Sequence, residues 1–246
     1  MPSLASIRAH VEERLTGRVT APFTARLPAQ QPTVRTGIPA IDSVLGGIPC
    51  SQITEIVGPR WCSTGRKSLQ SRVLAQAAKD QFCALVDATD SFDPKSARAS
   101  GVDLRRLLWI RCSGRDVKAL EQAFKSADLL LQGSSGFGMV MLDLGGIPES
   151  FVRRVPVSTW FRFRAVVEKL SAPLVVLTPC AVIGTCSTLT VNLWGAQIRW
   201  SQPNSEIPAH ARLPEGLDFE LEVTARRSLK KSPQSIRIFS AERQWA

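Results

Sequence analysis

An α/β fold, built on a doubly wound, mostly parallel central sheet flanked by helices and ending in antiparallel C-terminal edge strands, is predicted by three features of the sequence. Short, nearly continuous apolar runs recur along the chain, at Ala84–Asp87, Gly138–Leu144 and Leu174–Thr178. Runs of this kind read as parallel strands covered on both faces. Between them lie stretches with helical periodicity, Asp116 to Leu131 and Ser158 to Leu170, so strands and helices alternate. Finally, Glu55 to Leu69 reads as a buried strand, a loop bounded by glycines and the start of a helix running from Ser68 to Lys79.

Taken in order, the chain begins with Ser3 to Leu15, where Leu4, Ile7, Val11 and Leu15 stand at helical spacing behind a capping serine. Thr16 to Gln31 is rich in Pro, Thr and Gln without a clear period, and reads as a linker or extended arm. The expected division is therefore a helix and arm over 1–34 and one core domain over 35–246. A short helix around Pro39 to Leu45 ends on the Gly46-Gly47 pair, as helix C-termini commonly do. Gln52 to Val57 is the strand that feeds the glycine-bounded loop. Ala84 to Asp90 forms a second strand running into acidic residues, and Ser91 to Leu104 supplies a helix and a turn. Leu107 to Arg111 is the third strand. In Asp116–Leu131, Val117, Leu120 and Phe124 share one helical face with Leu129 or Leu130. The fourth strand closes on Asp143 and the fifth on Thr178. Leu189–Trp200, Leu217–Arg227 and Ser235–Phe239 alternate apolar and polar residues and read as antiparallel edge strands. Sites in such sheets lie at the carboxyl ends of the strands, where Gly58, Asp87, Asp143 and Thr178 fall.

The net charge of +10 exceeds what solubility requires and points to a polyanionic partner, nucleic acid before membrane, or else to an ordinary solvated surface. Six cysteines without C-x-x-C spacing and only two histidines argue against a metal site. They are expected to be core thiols of a cytoplasmic protein, with Cys62 in the loop the one exception worth noting. No apolar run reaches the length of a membrane span.

The loop after the first core strand resembles the phosphate-cradling pattern G-x-x-x-x-G-K-[ST], in which backbone N–H groups and a helix N-terminus hold a triphosphate. Here Gly58-Pro59 opens the loop and Gly65 closes it, with six residues between the glycines where the pattern has four. Arg66 follows the second glycine, Lys67 takes the place of the metal-holding hydroxyl, and Lys67-Ser68 restores the usual pair one residue later. A generic strand–turn–helix junction would fit the stretch equally well if it stood alone.

Its neighbours carry the resemblance further. Thr36–Gly47 has the form T-G-x-x-x-x-D-x-x-L-G-G, Glu55-Ile56-x-Gly58-Pro59 precedes the loop, and Asp87–Asp103 contains D-P-x-x-A-R-x-x-G-V-D. With the strand that ends at Asp143, these segments resemble the RecA family over roughly Arg35 to Phe239. Within that superfamily the sequence is most similar to ImuA proteins. The similarity rests on the Gly65-Arg66 form of the loop, the Arg153-Arg154-Val155-Pro156 and Trp160–Arg164 elements, and Gly184–Leu189. The resemblance implies a RecA-like core and an accessory role in DNA-damage-induced, error-prone translesion synthesis. It also implies contacts to RecA and to an ImuB-like polymerase homologue.

The departures from RecA bear on chemistry. Thr89 stands where the family's water-activating carboxylate would be, and a hydroxyl is no general base at neutral pH. Asp90, next to it, would point elsewhere. Arg66 replaces the phosphate-neutralising lysine, and Lys67 would repel a magnesium ion. Thr178-Pro179 replaces the amide that senses the terminal phosphate. Hydrolysis is therefore expected to be absent or slow. The nucleotide-site candidates Gly58, Pro59, Gly65, Arg66, Lys67, Ser68 and Asp143 read as vestigial, with ATP and magnesium admissible only if the loop re-registers on Lys67-Ser68.

The family's DNA-binding loops follow the fourth and fifth strands, and here those positions hold Arg153, Arg154, Arg162 and Arg164 among Phe151, Trp160, Phe161 and Phe163. Arginines there would meet single-stranded DNA or an acidic protein surface, while the aromatics are expected to pack in the core. The competing pattern places Val155, Phe161, Val166 and Leu170 inside an ordinary amphipathic helix. A second basic run, Arg226, Arg227, Lys230 and Lys231, falls in a hairpin and reads as a phosphate contact or a solvated turn. The expected function is thus an accessory protein that is non-catalytic or weakly catalytic. Two rivals remain: a DNA-dependent ATPase of recombination or repair, and a SulA-type inhibitor of a cell-division protein.

Overall fold

A computed structural model of the chain describes residues 32–62, 64–133, 136–200, 214–226 and 235–236. The N-terminal helix and nearly all of the arm expected over 1–34 lie outside these residues. So do Arg227, Lys230 and Lys231.

Strand β1 (Thr33–Val34) pairs antiparallel with β2 (Ile48–Pro49), and helix α1 (Pro39–Leu45) lies between them. Pro39 opens α1, where its fixed φ is helical and its missing N–H costs nothing, and Gly46 ends it at φ +65°. Then follow β3 (Ile53–Val57), α2 (Arg66–Ala77), β4 (Phe82–Asp87), α3 (Pro94–Ala99), β5 (Leu107–Arg111), α4 (Val117–Gly133) and β6 (Phe137–Asp143). After β6 come α5 (Glu149–Val152), α6 (Val157–Val167), β7 (Leu174–Thr178), β8 (Leu189–Trp200), β9 (Pro214–Arg226) and the two-residue β10 (Ser235–Ile236).

The main sheet runs in the order β10-β9-β8-β3-β7-β6-β4-β5. All pairs from β8 through β5 are parallel, and only β8–β9 and β9–β10 are antiparallel. The α/β architecture with an antiparallel edge is therefore as the sequence predicts. One strand departs from the expectation. β8 is not an antiparallel edge strand, because Leu189–Asn192 pair in parallel with Thr54–Val57 of β3, and only its other side meets β9 antiparallel. The far half of β8, Leu193–Trp200, runs beyond β3, and among the described residues its strand partner is β9.

Adjacent strands β6 and β7 show how the sheet divides the core. Met141, Val175 and Leu177 face one apolar layer with Leu69, Val73 and Leu74 of α2. Val140, Leu142, Leu174 and Val176 face the other, with Ala123 and Ala127 of α4 and Trp160 and Phe163 of α6. Successive side chains of a strand point to opposite faces, so a fully apolar strand is what a two-layered burial demands.

Helix α6 corrects one detail of the sequence reading. Trp160, Phe163 and Val167 are buried, whereas Phe161 is about half exposed. The buried stripe is set by the aromatic cluster in which Phe124 of α4 lies 5.3 Å from Trp160 and 5.7 Å from Phe163, centroid to centroid.

Candidate functional site

The carboxyl ends of β3, β7, β6 and β4 lie side by side, and each delivers one chemically distinctive residue to the same edge of the sheet. β3 leads into Gly58, whose N–H donates to the Thr178 carbonyl at 2.9 Å, so the loop starts tied to the end of β7. Gly65 closes the loop in the left-handed region at φ +71° and serves as the N-cap of α2. A side chain there would be strained and would meet the ring of Phe219. Helix α2 thus starts at Arg66, with Lys67 and Ser68 in its first turn. Arg66 is the first residue of the helix, directly after the glycine.

What Arg66 does there is the central feature of the site. Its guanidinium donates to three backbone carbonyls, those of Gly58, of Thr178 at 3.2 Å and of Gly145 at 3.0 Å. These carbonyls belong to the ends of β3, β7 and β6. A methyl group built on Gly145 would fall 2.3 Å from the guanidinium carbon, so the glycine is what lets the arginine in. Burial pulls the Arg66 guanidinium below its ordinary value, opposed by the charge of Asp143 and reinforced slightly by Arg60. The planar fork of arginine suits several fixed acceptors at once, which a lysine's point charge does not.

Lys67 completes the arrangement. Its Nζ lies 2.5 Å from Asp143 Oδ2 and 2.7 Å from Ser91 Oγ. Asp143 is fully buried, and its other oxygen accepts from the Gly145 N–H at 2.9 Å. The Ser91 hydroxyl donates in turn to Asp87 Oδ1, and the Phe92 N–H donates to Asp87 Oδ2 at 2.7 Å. The two buried carboxylates that close β4 and β6 are therefore held by protein donors.

Nor do the residues fit a magnesium nucleotide. The cradle is crossed by the Arg66 side chain, and an ammonium stands on the carboxylate that would orient the metal's water shell. Thr89 is packed over Gly146, where an added methyl would lie 2.4 Å from the threonine Oγ1. Asp90 adopts φ +52° and makes a bidentate pair, at 2.6 and 2.8 Å, with Arg111 at the carboxyl end of β5. That pair holds the Asp90 carboxyl below its usual range. The carboxylates of the 87–93 turn, Asp87, Asp90 and Asp93, each accept from donors of the protein itself. In the loop Trp61 is 77% exposed, with Arg60 exposed beside it.

Sequence reasoning used Glu55 only in the Glu55-Ile56-x-Gly58-Pro59 match and gave it no role. This residue lies fully buried in β3, and its Oε1 accepts from the N–H groups of Val182 (2.8 Å) and Ile183 (3.3 Å) and from Thr178 Oγ1 (3.2 Å). It fastens the segment after β7 to the centre of the sheet. Desolvation raises its carboxyl above the ordinary value despite those donors. The signal in the sequence was a lone acid inside an apolar strand, Ile53-Thr54-Glu55-Ile56-Val57.

The basic residues behave less uniformly than their sequence suggests. Arg153 pairs with Glu149 at 3.3 Å, Arg162 with Asp128 at 3.4 Å, and Arg164 with Glu168 at 2.7 Å. Arg164 is also largely covered and reaches the Thr185 carbonyl. Arg154 is exposed on the turn between α5 and α6, and none of these acids pairs with it. Arg226 ends β9, and its companions in the second run fall outside the described residues.

Among the described residues no group of His, Cys, Asp and Glu is arranged to hold a metal ion, and no helix is long and apolar enough to cross a membrane. Residues 22–147, just over half of the chain, match the RecA N-terminal domain, and this range takes in α1, the loop, the acid-terminated strands β4 and β6, and all the residues that meet around Arg66 except Thr178. The chain belongs to the RecA N-terminal domain family.

Proposed function

We propose that this protein is a RecA-like accessory factor of the ImuA kind, acting in SOS mutagenesis during DNA repair, with little or no catalysis of its own. In this reading it brings a translesion polymerase partner together with RecA or with single-stranded DNA. The observation that carries the proposal is the seating of Arg66 on the Gly58, Thr178 and Gly145 carbonyls, with Lys67 on Asp143. A fold that keeps the family's frame while filling its phosphate site with its own side chains is suited to holding partners. The charge of +10 supports an anionic partner.

The DNA part of the proposal is tested by anisotropy of a labelled single-stranded oligonucleotide over a salt series. Affinity is expected to fall steeply with salt, because each neutralised phosphate contributes a slope near 0.7 on single strands. Replacing Arg153 and Arg154 together tells whether that DNA runs over the turn between α5 and α6: weaker binding to all sequences and a slope lower by about 1–2 units would put it there. Changing Arg226 and Arg227 is the comparison on a different part of the chain. Wild-type binding by the Arg153/Arg154 variant would remove these residues from any DNA surface.

A further inference from the structure

A groove of about 640 Å³ runs between α4 and the α5–α6 turn, away from the strand ends that hold Arg66. Its apolar lining comes from Leu120, Phe124, Phe151 and Val155, and Val117 at one end is nearly half exposed. The α4 side extends from Val117 to Asp128, roughly 16 Å at the rise of an α-helix, or about three turns. Five charged side chains line it: Lys125, Arg154 and Arg162 against Glu121 and Asp128. Arg162 is already paired with Asp128, and Glu121 stands one turn from Lys125 on the same helix. The excess charge is thus positive and falls on Arg154, the exposed arginine that Glu149, Asp128 and Glu168 leave to its neighbours.

We infer that this groove docks an acidic amphipathic helix of a protein partner, about three turns long, with bulky apolar side chains against Phe124, Phe151 and Val155 and a carboxylate on Arg154. The inference rests on the accessory-protein reading above and assigns it a surface. An apolar floor with a cationic rim is the complement of such a helix, whose anchors recur at i, i+3, i+4 and i+7. A nucleic acid backbone would use cations in a row, but Arg153, Arg162 and Arg164 are each engaged with an acid of this chain.

The test uses the full-length protein and a fluorescein-labelled designed peptide with Leu and Phe at helical spacing and Glu on its flanks. Two controls accompany it: the same composition scrambled so that the apolar period is lost, and a version with Lys in place of Glu. The acidic amphipathic peptide is expected to bind, and both controls to bind at least about ten-fold more weakly, since one lost charge pair or anchor is worth that much. Arg154→Glu, at an exposed position that does not threaten folding, should weaken the acidic peptide about ten-fold and improve the Lys version. Thr159→Trp should block both by filling the groove. Equal binding of the scrambled peptide, indifference to Arg154→Glu, or full displacement of the peptide by a single-stranded oligonucleotide would each overturn the inference. Absence of peptide binding overturns it too, while the accessory reading is decided separately by nucleotide turnover.

Discussion

Lys67 Nζ stands 2.5 Å from Asp143 Oδ2, joining the first turn of α2 to the end of β6 across the place where the family's phosphate chemistry would occur. The lysine side chain is 43% exposed and the aspartate fully buried, so the pair matters mainly because it keeps a buried carboxylate from being left with one backbone donor. Lys67→Ala is expected to cost about 1–3 kcal/mol, the range for losing a hydrogen bond to a charged buried group, discounted for the half-open lysine. In a double-mutant cycle with Asp143→Ala the two losses should fall short of additive by at least about 0.5 kcal/mol. Additive losses in denaturant melts would mean that the contact carries no coupling.

Arg66 should be replaceable by nothing simpler. Arg66→Ala leaves three carbonyls without a common donor, and a loss of about 1–3 kcal/mol is expected. Arg66→Lys should recover less than half of that loss, because a single ammonium cannot span acceptors fixed on three strands. Full recovery by lysine, read from the same melts, would reduce Arg66 to a charge.

Leu142 and Val176 are register partners in β6 and β7, both without solvent exposure. Leu142→Ala or Val176→Ala is expected to cost about 2–4 kcal/mol, as large-to-small changes in a packed core do. Melts unchanged at both sites would misplace the core.

Glu55 gives the protein a pH signature. Its carboxyl titrates above the ordinary value of 4.5 because burial outweighs the donors it has. The folded state therefore binds this proton more tightly than the unfolded chain, so the contribution favours folding at low pH and is lost as pH rises from about the unfolded value through the folded one. Glu55→Gln mimics the protonated acid and keeps the acceptor for Val182 and Ile183. It should match or exceed wild-type stability at neutral pH, with the difference vanishing on acidification below about pH 4. Glu55→Ala should be destabilising at every pH, by about 1–3 kcal/mol, because two backbone N–H groups lose their acceptor. A Gln variant less stable than wild type at neutral pH would show that the ionised carboxylate is favoured in place.

Much of the fold was legible because the signals were local. Apolar runs gave β4, β6 and β7, and glycine at the end of α1 gave its stop. The start of α3 inside Ser91–Leu104 came only with the structure, where Asp93 accepts from the Lys95 and Ser96 N–H groups. The parallel pairing of β8 was not legible, since alternation reports exposure and says nothing of strand direction. Of the site, residue order alone shows the widened glycine spacing and the Arg66-Lys67 pair that follows it. That Arg66 folds back onto the strand ends could not be read there, because it depends on Gly145, 79 positions away in sequence. The ion pairs that occupy Arg153 and Arg164 stand at helical i, i+4 spacing with Glu149 and Glu168. They were open to the sequence reading, which weighed those arginines as free cations.

In the function proposed above, Arg66 and Lys67 fill the phosphate site and the protein binds partners without turning over nucleotide. Steady-state ATP hydrolysis, measured with magnesium and with or without single-stranded DNA, tests it most directly. The expected result is turnover far below roughly 1 s⁻¹, the lower end of the ordinary enzyme range, with no stimulation by DNA and no change on Lys67→Ala. Turnover above that rate, stimulated by DNA and abolished by Lys67→Ala or Asp143→Ala, would contradict it.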